Sequence, residues 1–297
     1  MARNPFSKRY RPAWAALTLV LLIVLTVTVP PIRTLAGELL SLFRVQRVEF
    51  VAFDPTRLPD EAAFEIAAPE FERMFEEQLT VEVEGEHDFV DEATARERAD
   101  FPIRLPSDRE ATRYEWSPPV HLTLTIDLPR LRALFAELGY QDIELPNALD
   151  GETVSMEFPG MLEAEYGPCS ADAPSPDAEC LSLLQLPSPV ISAPDGLDVE
   201  QFGRIYLELL GMTEEEIALL SKRIDWTSTL LVPYPRHPDL AYKDVRVDGV
   251  DGALVHPNIE PQQYRAFLLT WIKDGIVYVV SGNGDHAEAL ALVETLQ

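Results

Sequence analysis

The sequence predicts an α+β fold: an N-terminal transmembrane helix followed by antiparallel-sheet domains with packed helices. Three observations carry that prediction. An uncharged run over residues 13–32 lies near the N-terminus, with basic residues on either side. Downstream, alternating apolar segments follow one another in hairpin-like succession rather than in strict alternation with helices, which favours antiparallel over doubly wound sheets. Prolines number 25 in 297 residues, and each X-Pro step forces extended backbone, as a loop-rich sheet protein requires.

The run starts as AWAALTLVLLIVLTVTV (Ala13 to Val29), and Pro30, Pro31 and Ile32 extend it to Arg33. About twenty residues at ~1.5 Å each cover a hydrocarbon core of ~30 Å. Arg3, Lys8, Arg9 and Arg11 precede it and only Arg33 follows closely. The positive-inside rule therefore predicts a cytoplasmic tail (1–12), a membrane span (13–32) and an extracytoplasmic remainder. Trp14 stands at the cytoplasmic edge, where an amphipathic ring is favoured. A cleaved signal ending near Thr34-Leu35-Ala36 is the competing reading. The length of the run and the prolines at the site favour an anchor.

Residues 1–33 carry five of the 24 basic residues and none of the 50 acidic ones. The remainder is therefore strongly acidic and repels nucleic acid, so no nucleic-acid partner is expected. A solubilising surface accounts for the charge; a docking face for a basic partner is the sharper reading. Cys169 and Cys180 bound a loop, CSADAPSPDAEC. In an oxidising compartment such a pair reads as a disulfide, stabilising by roughly 2–3 kcal/mol. No histidine or second cysteine pair stands nearby to complete a metal site.

The elements follow in order. Leu35 to Phe43 is an amphipathic helical stretch, and Val45 to Phe53 a strand. Residues 60–78 form a helix with Phe64, Ile66, Phe71, Met74 and Phe75 on one face. Leu79 to Val83 is a short strand, 91–99 a solvated helix, and Val120 to Ile126 a half-buried strand. Asp127 caps a helix that Gly139 stops. Asp150-Gly151 turns into a strand over 153–158, and Leu181 to Ile191 is strand-like. A second half opens with a helix from Asp198 to Leu210, ended by Gly211. Thr213 and Glu216 make a capping box for the next helix. Ser228 to Pro233 is a strand, two more flank a turn at Gly249 to Gly252, and Asp274-Gly275 joins Tyr264–Lys273 to Ile276–Ser281 as a hairpin. Asp285 with Glu288 starts the final helix. The expected division is an α+β region with the disulfide loop (33–192) and a C-terminal α+β module (193–297).

The segments DVRVDGVDGALVHP (244–257), LLTWIKDGIVYVVSGNG (268–284) and HAEALALVETLQ (286–297) carry a resemblance, on Trp271, Asp274, Gly275, Tyr278, Gly282 and Leu296. This third of the chain resembles extracytoplasmic domains of unknown function found in bacterial anti-sigma-factor-like proteins. Those look related to the lipoprotein-carrier and sigma-E-regulator fold. SLFRVQRVEFV (41–51) is similar to their post-anchor segment. The resemblance implies a curved antiparallel sheet with helices against one face. The short N-terminal tail, with no Cys or His, leaves no room for a sigma-binding module, so at most the sensory half is implied.

Chemistry-bearing motifs are sparse. No G-x-S-x-G is present, and Ser281-Gly282-Asn283-Gly284 suits a strand end. No phosphate loop or dinucleotide fingerprint occurs, so no cofactor is expected. His87, His121, His237, His256 and His286 lack metal-binding spacing, and Asp248 and Asp251 lack that of a calcium loop, so no metal is expected. Trp226, Tyr234, Trp271 and Tyr278 are the candidate ligand or partner surface. Their placement beside strands also suits core packing; Trp226 and Tyr234, flanking TSTLLVPYP, are the pair expected to rim a groove. The expected function is a non-enzymatic, membrane-anchored sensory or regulatory domain that binds an envelope protein or an apolar ligand. An envelope hydrolase with a dispersed Asp/Glu/His site is the alternative. The full chain should sediment with membranes and resist thiol alkylation until reduced. A soluble chain with two free thiols would overturn the placement.

Overall fold

A residue without a peptide N–H cannot donate to a ladder, and prolines mark three places where strands of this protein break. The computed structural model describes residues 43–44, 47–59, 61–140, 143–169, 180–192, 198–237, 239–258, 266–283 and 285–297. The expected tail (1–12), span (13–32) and most of the stretch from Leu35 lie outside them. Among the described residues no helix is long and apolar enough to cross a membrane.

The chain runs β1 (Phe43–Arg44), β2 (Arg47–Phe53), α1 (Glu61–Gln78), β3 (Leu79–Val83), β4 (Asp88–Val90), α2 (Glu92–Arg98), β5 (Arg113–Ser117), β6 (Val120–Thr125), α3 (Leu128–Glu137), β7 (Thr153–Phe158) and β8 (Met161–Tyr166). It continues with β9 (Cys180–Pro187), β10 (Val190–Ser192), α4 (Val199–Leu209), α5 (Glu214–Ser221), β11 (Thr229–Pro235), β12 (Leu240–Val247), β13 (Val250–Pro257), β14 (Ala266–Lys273), β15 (Ile276–Asn283) and α6 (His286–Glu294). The fold is thus α+β, with antiparallel pairing in both large sheets. One has five strands in the order β1-β10-β7-β6-β3; the other has eight, β12-β13-β14-β15-β9-β8-β5-β4. β2 and β11 form a separate parallel pair over seven residues each.

Four chain segments contribute to both large sheets: β3 leads into β4 through residues 84–87, and three more cross at prolines. β5 passes into β6 at Pro118-Pro119, β7 into β8 at Pro159-Gly160, and β9 into β10 at Ser188-Pro189. The pairing frame is the same on either side: Val120 opposes Phe158 before the break, and Ser117 opposes Met161 after it. The strand expected over Leu181 to Ile191 is therefore two strands, divided because Pro189 cannot donate to the ladder. Gly160 has a packing role at this line: a Cβ there would lie 2.4 Å from the Trp116 ring. β9 pairs with β15 along its length, so the eight-stranded sheet is continuous across the 192/193 boundary.

Period-2 alternation places the cores. On β14 and β15, Trp271, Tyr278 and Val280 join Ala95 of α2 and Leu292 and Val293 of α6 in one cluster. Ile272 and Val277, the intervening residues, join Val154, Met156, Phe135 of α3 and Phe202 and Ile205 of α4 in another. A third cluster packs α4 and α5 on β2 and β11, and a fourth packs Met74 and Phe75 of α1 against Leu124 and Leu134. Ile66 is 71 % exposed, contrary to the expected face. The buried stripe follows Ala67, Phe71, Met74 and Phe75, and Ile66 lies one residue out of phase with it.

Local signals explain most element ends. Asp91, Asp127, Asp198 and Asp285 cap helices through side-chain oxygens, and the Thr213–Glu216 capping box is formed. Asp248-Gly249 and Asp274-Gly275 both adopt positive φ, as tight hairpin turns require. The first of these turns lies at 248–249, one step earlier than expected, and Gly252 is within β13. Cys169 and Cys180 form a disulfide with a Cα–Cα distance of 5.0 Å. Beside it, a Cβ on Gly282 would meet the Cys180 carbonyl oxygen at 2.2 Å. Gly282→Ala should therefore destabilise the oxidised protein by about 1–3 kcal/mol, read from the shift in urea midpoint.

Candidate functional site

The four aromatic candidates do not converge. Trp271 and Tyr278 are direct cross-strand partners in the β14–β15 hairpin. Their rings stack at 5.0 Å with an 8° tilt, and they are 1 % and 2 % exposed. They belong to the core and offer no binding surface. Trp226 packs against α4, where a Cβ on Gly203 would lie 2.0 Å from its ring. It joins the core cluster of α4, α5, β2 and β11 rather than rimming a groove. The signal for this was a glycine in the middle of an amphipathic helix, which makes room for a large ring.

Tyr234 is different. Its ring stacks on Tyr242 of β12 at 4.9 Å and 13°, and Phe50 of β2 leans on Tyr242 at 5.6 Å. The two tyrosines, with Pro235, Arg236, His237 and Leu240, line an open cleft of about 440 Å³. Tyr234 and Pro235 are the last residues of β11, and the Arg236 N–H closes the parallel β2–β11 pair by donating to the Phe53 carbonyl at 2.7 Å. The Tyr242 hydroxyl donates to Asp244 at 2.7 Å. Burial, reinforced by that carboxylate, pushes the Tyr242 phenol well above its ordinary range; burial also raises Tyr234 against an opposing effect of Arg236. Both phenols are therefore neutral at pH 7 and act as flat apolar faces with polar tips. His237 lies 3.5 Å from the Asp239 carboxylate, with both side chains about half exposed. The lining combines two aromatic faces, a guanidinium and an imidazole.

A second, interior cavity lies among Phe71, Met74 and Phe75 of α1, Leu131 and Phe135 of α3, and Phe202 and Ile205 of α4. Its volume is about 70 Å³. Ligand pockets usually hold ~300–1,000 Å³, so this void takes a few carbon atoms at most. The other histidines are dispersed. His87 pairs with Glu115 and His121 with Glu84, while His256 stacks on His286 at 4.6 Å. Among the described residues no cluster of three or more His, Cys, Asp or Glu side chains could hold a metal ion.

Charge converges instead at Asp248. Its carboxylate is paired bidentately by Arg104 and accepts from Lys273 Nζ at 2.7 Å. Arg104 also donates to the Leu296 carbonyl, while its backbone N–H and C=O exchange bonds with the buried Gln185 amide at 2.9 and 2.8 Å. The loop at 103–107 is thereby tied to the sheet and to the C-terminal strand pairing at Pro106 and Leu296. Sequence reasoning missed this set, and also Tyr242 and Arg236. Each side chain comes from a different element, and no short-range spacing links them.

Against known proteins, the chain matches no protein-family model, no curated protein and no solved structure.

Burial alone would raise the Asp248 carboxyl, but Arg104 and Lys273 outweigh it and hold the group below the ordinary carboxylate range. A carboxylate so lowered contributes fully above about pH 4, and the contribution fades as pH falls through the folded value. Asp248→Asn keeps the turn geometry, because asparagine tolerates positive φ, but loses the charge. It should cost about 1–3 kcal/mol at pH 7. Urea titrations of both proteins across pH should show that difference shrinking below pH 4.

Proposed function

We propose that this protein is a membrane-tethered extracytoplasmic regulatory domain that binds a protein partner and performs no catalysis. The observation that carries this reading is the half-buried Tyr234–Tyr242 stack beside the exposed Arg236 in an open cleft of about 440 Å³. Tyrosine and arginine are the residue types that concentrate binding energy at protein interfaces. A shallow mixed-polarity cleft suits a protein surface better than an enclosed small molecule. The apolar-ligand form of the hypothesis is weakened by magnitude, since the interior cavity of about 70 Å³ is far smaller than an acyl chain. The acidic remainder of the chain and the basic-flanked run at 13–32 support the placement outside the cytoplasm. Binding would act by shifting a membrane-proximal equilibrium, which requires that the partner favour one state over the other.

The test is photo-crosslinking in native membranes from a reactive side chain placed at Leu240, inside the cleft. A single protein adduct is expected. Tyr234→Ser with Tyr242→Ser should weaken the captured interaction about 30-fold or more, the level of an interface hot spot of ~2 kcal/mol. Unchanged capture by the double variant would overturn the reading. Adducts that are lipid rather than protein would return the apolar-ligand form.

A further inference from the structure

A free sheet edge is a row of unpaired N–H and C=O groups, and proteins usually guard it with lysine, proline, a bulge or a covering element. β3 closes one side of the five-stranded sheet, and among the described residues no strand pairs with its outer edge. Residues 80–89 are exposed without interruption. From Leu79 to Asp91 the sequence holds no lysine, arginine or proline.

The side chains on this edge are sorted by face. Val81 and Val83 are 53 % and 54 % exposed, and they oppose Leu122 and Val120 of β6. Val120 in turn opposes Phe158 of β7. One face of the edge therefore ends in an uncovered apolar strip. On the other face Glu82 opposes His121, which lies 3.2 Å from Glu84 and opposes Glu157. Three carboxylates there meet one histidine.

We propose that β3 is a docking edge for an extended segment of a partner protein in which apolar residues alternate with lysine or arginine. Such a segment would add a sixth strand. Its apolar side chains would cover Val81 and Val83, and its basic side chains would stand opposite Glu82 and Glu84, where cross-strand Cβ atoms lie ~4.5–5.5 Å apart. The same carboxylates select the partner. They repel a second copy of this chain, whose net charge is −26, and any acidic strand, while leaving a basic one favoured. This edge is independent of the tyrosine cleft: β12, which carries Tyr242, and β4, which continues from β3, occupy opposite edges of the eight-stranded sheet.

The experiment uses the full chain in bilayer nanodiscs and a fluorescent octapeptide alternating valine and lysine. Anisotropy should report binding that weakens at least tenfold when alternate peptide amides are N-methylated. It should weaken at least tenfold again in the Glu82→Lys, Glu84→Lys variant, which should gain affinity for a valine–glutamate octapeptide. Tyr234→Ser should leave peptide binding unchanged, so failure of the edge and failure of the cleft are told apart. Equal binding of the N-methylated peptide would reduce the effect to charge alone and overturn the proposal. So would undiminished binding to the lysine variant, no binding at millimolar peptide, or a dimer of this chain formed through β3. The N-methyl comparison needs only the wild-type protein.

Discussion

The aligned loss of ladder hydrogen bonds at Pro118-Pro119, Pro159-Gly160 and Ser188-Pro189 governs the architecture. Each break alone would be a local interruption. Because the pairing frame is preserved across all three, they fall side by side and form a seam across what would otherwise be one long sheet. Two sheets result; one core lies on the Trp271 face of the eight-stranded sheet, and a second is shared, since Ile272 and Val277 join Val154 and Met156. The helices follow from that division. α2 and α6 cover the eight-stranded sheet, while α3 and α4 pack where Ile272 and Val277 meet the five-stranded one.

Scarcity of positive charge shapes the rest. With 24 basic against 50 acidic side chains, many arginines are drawn into specific pairs. Arg130 bridges Glu70 and Glu77 and so ties α3 to α1; Arg57 reaches Glu216 at the start of α5; Arg113 meets Glu165 across the β5–β8 ladder. Most such pairs are solvated and contribute little individually. Arg104, Lys273 and Asp248 differ because the carboxylate is withdrawn from water. Other aspartates find use as helix caps, where an anion meets unpaired N–H groups.

Legibility in the sequence followed the range of the determining interaction. Asp127, Thr213–Glu216 and Asp274-Gly275 act within four residues, and the elements they bound form where expected. The cysteine pair was equally plain, since only two cysteines exist. The seam was not foreseen, because it depends on three proline sites meeting across strands far apart in sequence. The aromatic candidates show the same limit. Trp271 and Tyr278 read as strand residues, but only their facing positions reveal a stacked core pair. Tyr234 lies on the cleft, yet its partner Tyr242 is on another strand and its character comes from that contact. Gln185 gave no sign at all, being a polar residue in an apolar strand whose use appears only when the Arg104 backbone arrives.

The parallel pairing of β2 with β11 has a mechanical consequence. Tension applied from the N-terminal side reaches β1, which is two residues long, and then β2. β1 can peel from its neighbour bond by bond. β2 is held more firmly, because it makes seven pairs with β11 and Val51 and Phe53 are embedded in apolar packing behind them. A pull from the N-terminal side would thus meet a two-residue pairing first and a seven-residue pairing backed by apolar packing second.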